Sequence, residues 1–267
     1  CSTVESIPLI TGSIMSKKLA SGMNGLVMTV PFGSGAFMKT VDRASELAQS
    51  MIDVATGTSV KMVGLVSDLT EILGDSVGNA LQLREIVAYL NGRYREPRMH
   101  ETVMALAADI LVMGELAPSP EAARALAQAR LDDGEALARF ARMIAFFGGP
   151  EDFCDRPEAY LPAAPVVAPV FPDRSGFVQE MDCFAIGMAL VGLGAGRKKP
   201  DDEVDNAVGI AGIAATGTEV GSARPLCVLH AQSAAAFEHA AAAIRAAVTI
   251  GEQKPAPRPV IHRRHAG

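Results

Sequence analysis

The sequence predicts an α/β fold in which a parallel-type sheet is packed against helices. Between residues 22 and 90, short apolar runs of strand length alternate with longer amphipathic stretches. This alternation is typical of strand–helix–strand units with parallel strands. From Pro150 to Pro172 prolines are frequent, which excludes long helices in that region and favours short strands. We therefore expect a C-terminal α+β subdomain as well.

The first element is predicted to be a helix that follows Ser6 and runs to about Ala20. Ser6 is placed to cap it, and Pro8 fits the first turn because a missing N–H costs little there. Gly22 is placed to end the helix.

Strands and helices alternate after this first helix. The predicted elements are a strand at 26–30, a helix at 41–55, a strand at 60–67, a helix at 77–90 and helical segments from 98 to 147. Gly33 and Gly35 follow the first strand, where glycines permit unusual backbone angles. They form either a tight turn or a ligand-binding loop.

The C-terminal part is predicted to contain short strands and two helices. Strands are expected at 166–171, 176–180 and 226–230, and helices at 183–193 and 234–250. The glycines at 192, 194 and 196 follow a helix rather than a strand, so we reject a dinucleotide-binding loop. The basic run 262–265 is predicted to be a solvated tail. The predicted domains are 1–21 (helical), 22–161 (α/β) and 162–267 (α+β).

Composition excludes several classes of protein. The net charge of −6 argues against nucleic-acid binding. The longest apolar stretch, Cys183–Gly196, is shorter than the ~18 residues that suggest a membrane span. No signal-peptide pattern, CxxC pair or metal-binding histidine spacing is present, so we expect a cytoplasmic protein with reduced thiols. Because the sequence begins with Cys1, we expect it to be a fragment.

Four residues could carry chemistry. Ser13 and Lys17 lie four apart, which places a hydroxyl and an ammonium on one face of the first helix. They could bind one small polar ligand, or they could form an exposed polar face. Asp68 ends the second strand, where parallel sheets place ligand contacts. Glu85 is flanked by apolar residues and could pair with Arg84 or another basic residue, or bind a cation.

Several long ungapped motifs give the chain a resemblance to the thymidine and pyrimidine-nucleoside phosphorylase family. These motifs are Val4-Glu-Ser-Ile-Pro-Leu-Ile-Thr-Gly-Ser13-Ile-Met-Ser-Lys17, Gly33-Ser-Gly-Ala-Phe-Met38, Gly78-Asn-Ala-Leu-Gln-Leu-Arg-Glu85, Gly176-Phe-Val-Gln-Glu-Met-Asp182, Gly194-Ala-Gly-Arg-Lys198, Val204-Asp-Asn-Ala-Val-Gly209 and Arg224-Pro-Leu-Cys-Val-Leu-His230. The resemblance covers essentially the whole chain. It implies a small helical domain, of which the first helix would be a remnant, and an α/β domain, with a substrate cleft between them.

The resemblance also implies roles for individual residues. Ser13 and Lys17 match the positions that hydrogen-bond the pyrimidine, and Ile10 and Phe37 match the apolar walls around it. The positions that bind a monovalent cation in some relatives are here Glu85, Leu73 and Ser76. No other cofactor is implied. Many relatives have an acid and a lysine where this chain has Thr29 and Pro31, which leaves fine substrate preference open.

The activity implied by the resemblance is reversible phosphorolysis of pyrimidine nucleosides. Thymidine and phosphate would give thymine and 2-deoxy-α-D-ribose 1-phosphate, in a homodimer. The family's phosphate site precedes the residues present here, so we expect this fragment to be inactive alone. Two alternatives stay open: a non-catalytic dimeric binding homologue, and a phosphorylase of a related nucleotide substrate.

Overall fold

The computed structural model describes residues 6–267, which form two compact units. Cys1 and the beginning of the first family motif, Val4-Glu5, lie outside these residues. Of the described residues, the first unit takes those up to Thr70 together with Pro97–Ala129 and Arg258–Gly267. The second unit takes Glu71–Glu96 and Arg130–Pro257. The predicted domain ranges 1–21, 22–161 and 162–267 stay a prediction.

The predicted mixture of helices and strands is confirmed. The helices of the described residues are α1 (Ile7–Ala20), α2 (Val41–Thr56), α3 (Asn79–Leu90), α4 (Pro97–Met113), α5 (Pro120–Asp132), α6 (Glu135–Phe146), α7 (Cys183–Leu193) and α8 (Ala234–Ala246). The strands are β1 (Gly25–Phe32), β2 (Lys61–Asp68), β3 (Ser76–Val77), β4 (Val166–Val170), β5 (Gly176–Met181), β6 (Gly209–Ala211), β7 (Glu219–Val220), β8 (Cys227–Ala231), β9 (Val248–Gly251) and β10 (Ile261–Ala266).

The first unit is built on a three-stranded sheet in the order β1-β2-β10. Strands β1 and β2 are parallel, with Leu26 opposite Met62, as the strand–helix–strand pattern predicts. Strand β2 lies in the middle, and all of its residues except the first are buried. This burial explains its almost continuous apolar sequence.

Helix α2 packs its apolar face on this sheet. The side chain of Thr40 accepts a hydrogen bond from the Arg43 N–H and caps the helix. The apolar buried residues of α2 follow helical spacing; they are Ala44, Leu47, Ala48, Met51, Ile52 and Ala55. Helix α1 packs against α2, and the Thr11 and Ser50 hydroxyls are 2.9 Å apart. Ser6 occupies the N-cap position of α1, but its hydroxyl makes no capping hydrogen bond.

The arginines of the basic run are exposed, as predicted, but the run is not a free tail. Residues 261–266 form strand β10, which pairs antiparallel with β2. Its arginines have specific partners, because Arg263 pairs with Asp42 at 2.8 Å and Arg264 pairs with Asp109 at 2.7 Å. A basic run looks solvated in isolation, whereas here acidic side chains from distant segments compensate its charges.

The second unit contains two antiparallel sheets, in the orders β3-β6-β8-β4 and β7-β5-β9. Its core includes Val170, Val178, Ile210 and Leu229, each at most 1 % exposed. The short strands and the helix at 183–193 are confirmed.

The predicted helix at 234–250 is too long. It ends at Ala246, and Val248–Gly251 forms β9, in which Ile250 lies opposite Val178 of β5. The β-branched residues Val248, Thr249 and Ile250 favour the strand. No helix among residues 6–267 combines the length and the apolar character that crossing a bilayer requires.

Candidate functional site

An apolar cavity of about 130 Å³ lies in the first unit between α1, β1, α2 and the residues after β1. Its lining includes Ile10 and Ile14 of α1, Thr29 and Pro31 of β1, and Phe37. Phe37 is 66 % exposed, so its ring is available to a ligand. An apolar cavity of ~150 Å³ can take a benzene ring. The cavity therefore suits one six-membered ring.

The structure places Ile10 and Phe37 together at this cavity, as the resemblance implies. Ser13 and Lys17 are exposed and are not among the residues that line it. They are nevertheless on the same side of α1 as the lining residues, because positions 10, 13, 14 and 17 share one face of this helix. Lys17 Nζ donates a hydrogen bond to Ser13 Oγ at 3.4 Å, which is long for such a contact. A hydroxyl and an ammonium thus stand together on the helix face that lines the cavity.

Residues 33–36 form a hydrogen-bonded turn that leads to Phe37. The Gly33 N–H donates to the Met38 carbonyl at 3.0 Å, and the Ala36 N–H donates to the Gly33 carbonyl at 3.1 Å. Lys39 Nζ donates to the Ala36 carbonyl at 2.8 Å. Of the two interpretations of the glycine pair, the structure supports a tight turn. We call residues 33–36 the glycine turn.

Thr29 and Pro31 line the cavity with their strand. The sequence identified them as departures from the family pattern, and their location gives that departure a physical meaning. Neither residue brings a charge to the cavity, whereas an acid and a lysine would. The remaining apolar lining residues, Met28, Val30, Met38, Leu47 and Met51, were not singled out from the sequence, since their spacing signals only a core.

Asp68 ends β2 and is 2 % exposed. Its Oδ1 accepts a hydrogen bond from the Thr70 N–H at 2.7 Å. Arg98 Nη2 donates to its backbone carbonyl at 3.1 Å and lies 3.7 Å from Oδ2. Arg258 Nε lies 3.9 Å from the same Oδ2. The residue noted at the strand end is therefore a buried carboxylate between two guanidinium groups.

Glu85 belongs to the second unit and accepts two short hydrogen bonds. The Asp75 N–H donates to Oε1 and the Ser76 hydroxyl donates to Oε2, each at 2.5 Å. Arg84 is not the main partner of Glu85, because the Arg84 guanidinium pairs with Glu158 at 2.8 Å. Leu73 lies in the loop just before β3, which begins at Ser76.

The surroundings of Glu85 are acidic. Burial raises the pKa of Asp75, and the nearby carboxylates Glu85 and Glu96 raise it further. Residues 6–267 contain no group of three or more His, Cys, Asp or Glu side chains that could hold a metal ion. Carboxylate and hydroxyl oxygens in a negative environment still fit a weakly bound hard cation. Glu85, Leu73 and Ser76 are the ligands that the resemblance implies, and the charge of the cation would offset the acidic cluster; this assignment stays a prediction.

Two segments of the chain match known protein families. Residues 1–137 match the family described as glycosyl transferase family, a/b domain. Residues 177–251 match the pyrimidine nucleoside phosphorylase C-terminal domain. The first match alone covers 137 of the 267 residues. The two matches follow each other along the chain in separate segments. The chain therefore belongs to the thymidine and pyrimidine-nucleoside phosphorylase-like family of glycosyl transferases.

Proposed function

We propose that the protein carrying this chain catalyses reversible phosphorolysis of thymidine, giving thymine and 2-deoxy-α-D-ribose 1-phosphate. The observation that carries the proposal is the ring-sized apolar cavity between Ile10 and Phe37, beside a helix face that presents Ser13 and Lys17. Apolar walls suit the faces of a pyrimidine ring, and polar groups suit its edge.

The chemistry assigns a role to each polar group. Phosphate attacks C1′ of the sugar, the C1′–N1 bond breaks, and the pyrimidine leaves with its electron pair. Lys17 and Ser13 would donate hydrogen bonds to the base as this negative charge develops. Among the described residues, no ion pair involves Lys17. Its ammonium group is thus free to face an anionic leaving group.

We propose that the groups that bind phosphate come from outside these 267 residues. The test compares this chain with a longer protein that also carries the segment preceding it in the family. We expect thymine release from thymidine only in the longer protein and only with phosphate. Phosphate-dependent activity of the 267-residue chain alone would overturn this assignment of the phosphate site.

The same assay separates the alternatives. Faster cleavage of thymidine 5′-monophosphate than of thymidine would indicate a nucleotide phosphorylase. Thymine binding without cleavage by the longer protein would indicate a binding homologue. Parallel reactions with uridine measure the preference at the 2′ position.

We also propose that the protein is a cytoplasmic homodimer. The resemblance implies that the helical domain, to which α1 would belong, makes much of the dimer contact, and Leu9 of this helix is 52 % exposed. Light scattering of the longer protein should give twice the protomer mass. A monomeric mass at assay concentration would contradict the dimer without affecting the proposed reaction.

A further inference from the structure

The carboxylate of Asp68 is compensated by side chains from two separate segments. Arg98 lies near the start of α4, and Arg258 lies shortly before β10. Their guanidinium nitrogens stand 3.7 and 3.9 Å from Oδ2, which makes no hydrogen bond of its own. A carboxylate that is 2 % exposed needs such compensation, because burial removes its hydration. We call Asp68, Arg98 and Arg258 the Asp68 cluster.

The residues directly after Asp68 hold the glycine turn. The Gly35 N–H donates to the Leu69 carbonyl at 3.1 Å, and the Leu69 N–H donates to the Phe32 carbonyl at 2.8 Å. Gly33 packs so closely that a Cβ there would lie 2.6 Å from the Thr70 nitrogen. That nitrogen donates to Oδ1 of Asp68 at 2.7 Å. The carboxylate is therefore connected to the turn through residues 69 and 70.

The glycine turn in turn places Phe37. Phe37 follows the turn directly, and its ring lines the apolar cavity. The backbone on its other side is fixed as well, since Met38 accepts the Gly33 N–H. A shift of residues 69–70 would thus move Phe37 relative to Ile10, which also lines the cavity.

We infer that Asp68 is a positioning residue for the base-binding cavity, acting through the glycine turn on Phe37. The inference rests on the proposed function for the identity of the ring that Phe37 contacts. The cluster fixes residues 69–70, these residues fix the turn, and the turn sets the width of the cavity. Arg258 extends this dependence to the C-terminal segment of the chain.

The variant Asp68→Asn tests the inference with little change in volume. Its amide oxygen can still accept from the Thr70 N–H, but its NH₂ group then takes the place of Oδ2. That group is a donor and would face two guanidinium groups, so the local contacts are disrupted. Arg258→Gln is a milder variant, because the Arg258 side chain is 41 % exposed and Arg98 remains.

Asp109→Asn is the matched control. Asp109 is also a buried acid of the first unit, 9 % exposed, and its partner is Arg264 of β10 at 2.7 Å. Both substitutions thus remove a buried negative charge next to an arginine. Of the two, Asp68 is the one joined to the glycine turn through the adjacent residues 69 and 70.

The first measurement is hydrogen–deuterium exchange of the 267-residue chain without substrate. We expect the Gly33 and Gly35 amides to exchange about tenfold faster or more in Asp68→Asn, less so in Arg258→Gln, and at the original rate in Asp109→Asn. If Asp68→Asn also speeds exchange throughout α2, the chain has unfolded and Arg258→Gln decides. Unchanged exchange of both amides in Arg258→Gln and in a folded Asp68→Asn overturns the inference.

The second measurement is the steady-state kinetics of the longer protein with the same substitutions. We expect the KM for thymidine to rise about tenfold and the KM for phosphate to stay unchanged. A displacement of a contacting group by about 1 Å can lower kcat/KM by up to ~100-fold. Equal changes in both KM values, or the same thymidine KM in Asp68→Asn and Asp109→Asn, overturn the inference. If the unsubstituted protein cleaves no thymidine, the proposed function fails, while the exchange result still decides whether Asp68 holds the turn.

Discussion

Lys17 is the residue on which the proposed chemistry depends most directly. We predict that Lys17→Ala in the longer protein lowers kcat/KM for thymidine by about 100- to 1,000-fold, since it removes a donor aimed at developing negative charge. Lys17 is exposed, so the thermal stability should change little. The neighbouring Lys18→Ala is the control and should keep its activity. Near-normal turnover of Lys17→Ala would remove Lys17 from the site.

The environment of Asp75 predicts how the stability of the fold depends on pH, whatever the substrate is. Burial and the nearby Glu85 and Glu96 raise its folded-state pKa above 3.8. The folded state therefore keeps this proton to higher pH than the unfolded state, and the stability falls as pH rises through the interval between the two pKa values. Below 3.8 both states are protonated, so the effect vanishes.

We predict that Asp75→Asn increases the free energy of unfolding at pH 7 relative to the unsubstituted chain. The Asn side chain can keep the contact with the Gly212 amide without the charge. The gain should shrink as the pH falls towards 3.8, and urea unfolding at several pH values measures it. Asp201→Asn, at an exposed position, should show no such trend. A gain that is equal at pH 7 and pH 4 would exclude the electrostatic cause.

At the scale of the elements, the backbone geometry of the glycine turn predicts how much stability a substitution of Gly33 costs. Gly33 has φ +121° and no room for a Cβ beside residues 69–70, whereas Gly134 has φ +82° and open space around it. Gly33→Ala should therefore cost more than the ~1–3 kcal/mol of an unfavourable backbone angle alone. Gly134→Ala should cost only that amount. Thermal unfolding of both variants measures this difference in stability. Equal losses of stability would show that the backbone near Gly33 shifts to make room for the added Cβ.

The sequence predicts elements best where one face is consistently apolar. Strands β1 and β2 and helix α2 follow such patterns, and their predicted bounds lie within one or two residues of those observed. Strand β9 was missed because the alanine-rich helical pattern continues into Val248–Ile250. Strand β10 was missed because its exposed arginines look solvated until their partners are known.

Some residues of the candidate site could likewise be predicted from the sequence, and others could not. The resemblance identified Ile10 and Phe37, and both line one cavity. The sequence placed Asp68 at a strand end, but it could not indicate Arg98 and Arg258, which come from segments far along the chain. Contacts between such distant residues leave no local spacing pattern from which they could be predicted.

At the scale of the whole chain, β10 connects segments that are distant in sequence. We predict that Arg264→Ala lowers the free energy of unfolding by about 2 kcal/mol, because it leaves the buried Asp109 without its charged hydrogen-bond donor. The adjacent Arg263→Ala is the control. Its acidic partner Asp42 is 79 % exposed, so its loss should cost about 0.5 kcal/mol or less. Urea unfolding measures both, and equal losses would contradict this account of β10.

The pairing of β10 with β2 has a consequence for biosynthesis. Strand β2 emerges from the ribosome long before the neighbour that covers its second edge, which is complete only when synthesis reaches Ala266. Until then an apolar strand with unpaired peptide groups stays open to other chains, which is a recognised hazard for aggregation during translation. Slow translation between these two segments should therefore lower the yield of correctly folded protein, and chaperones that shield nascent strands should restore it.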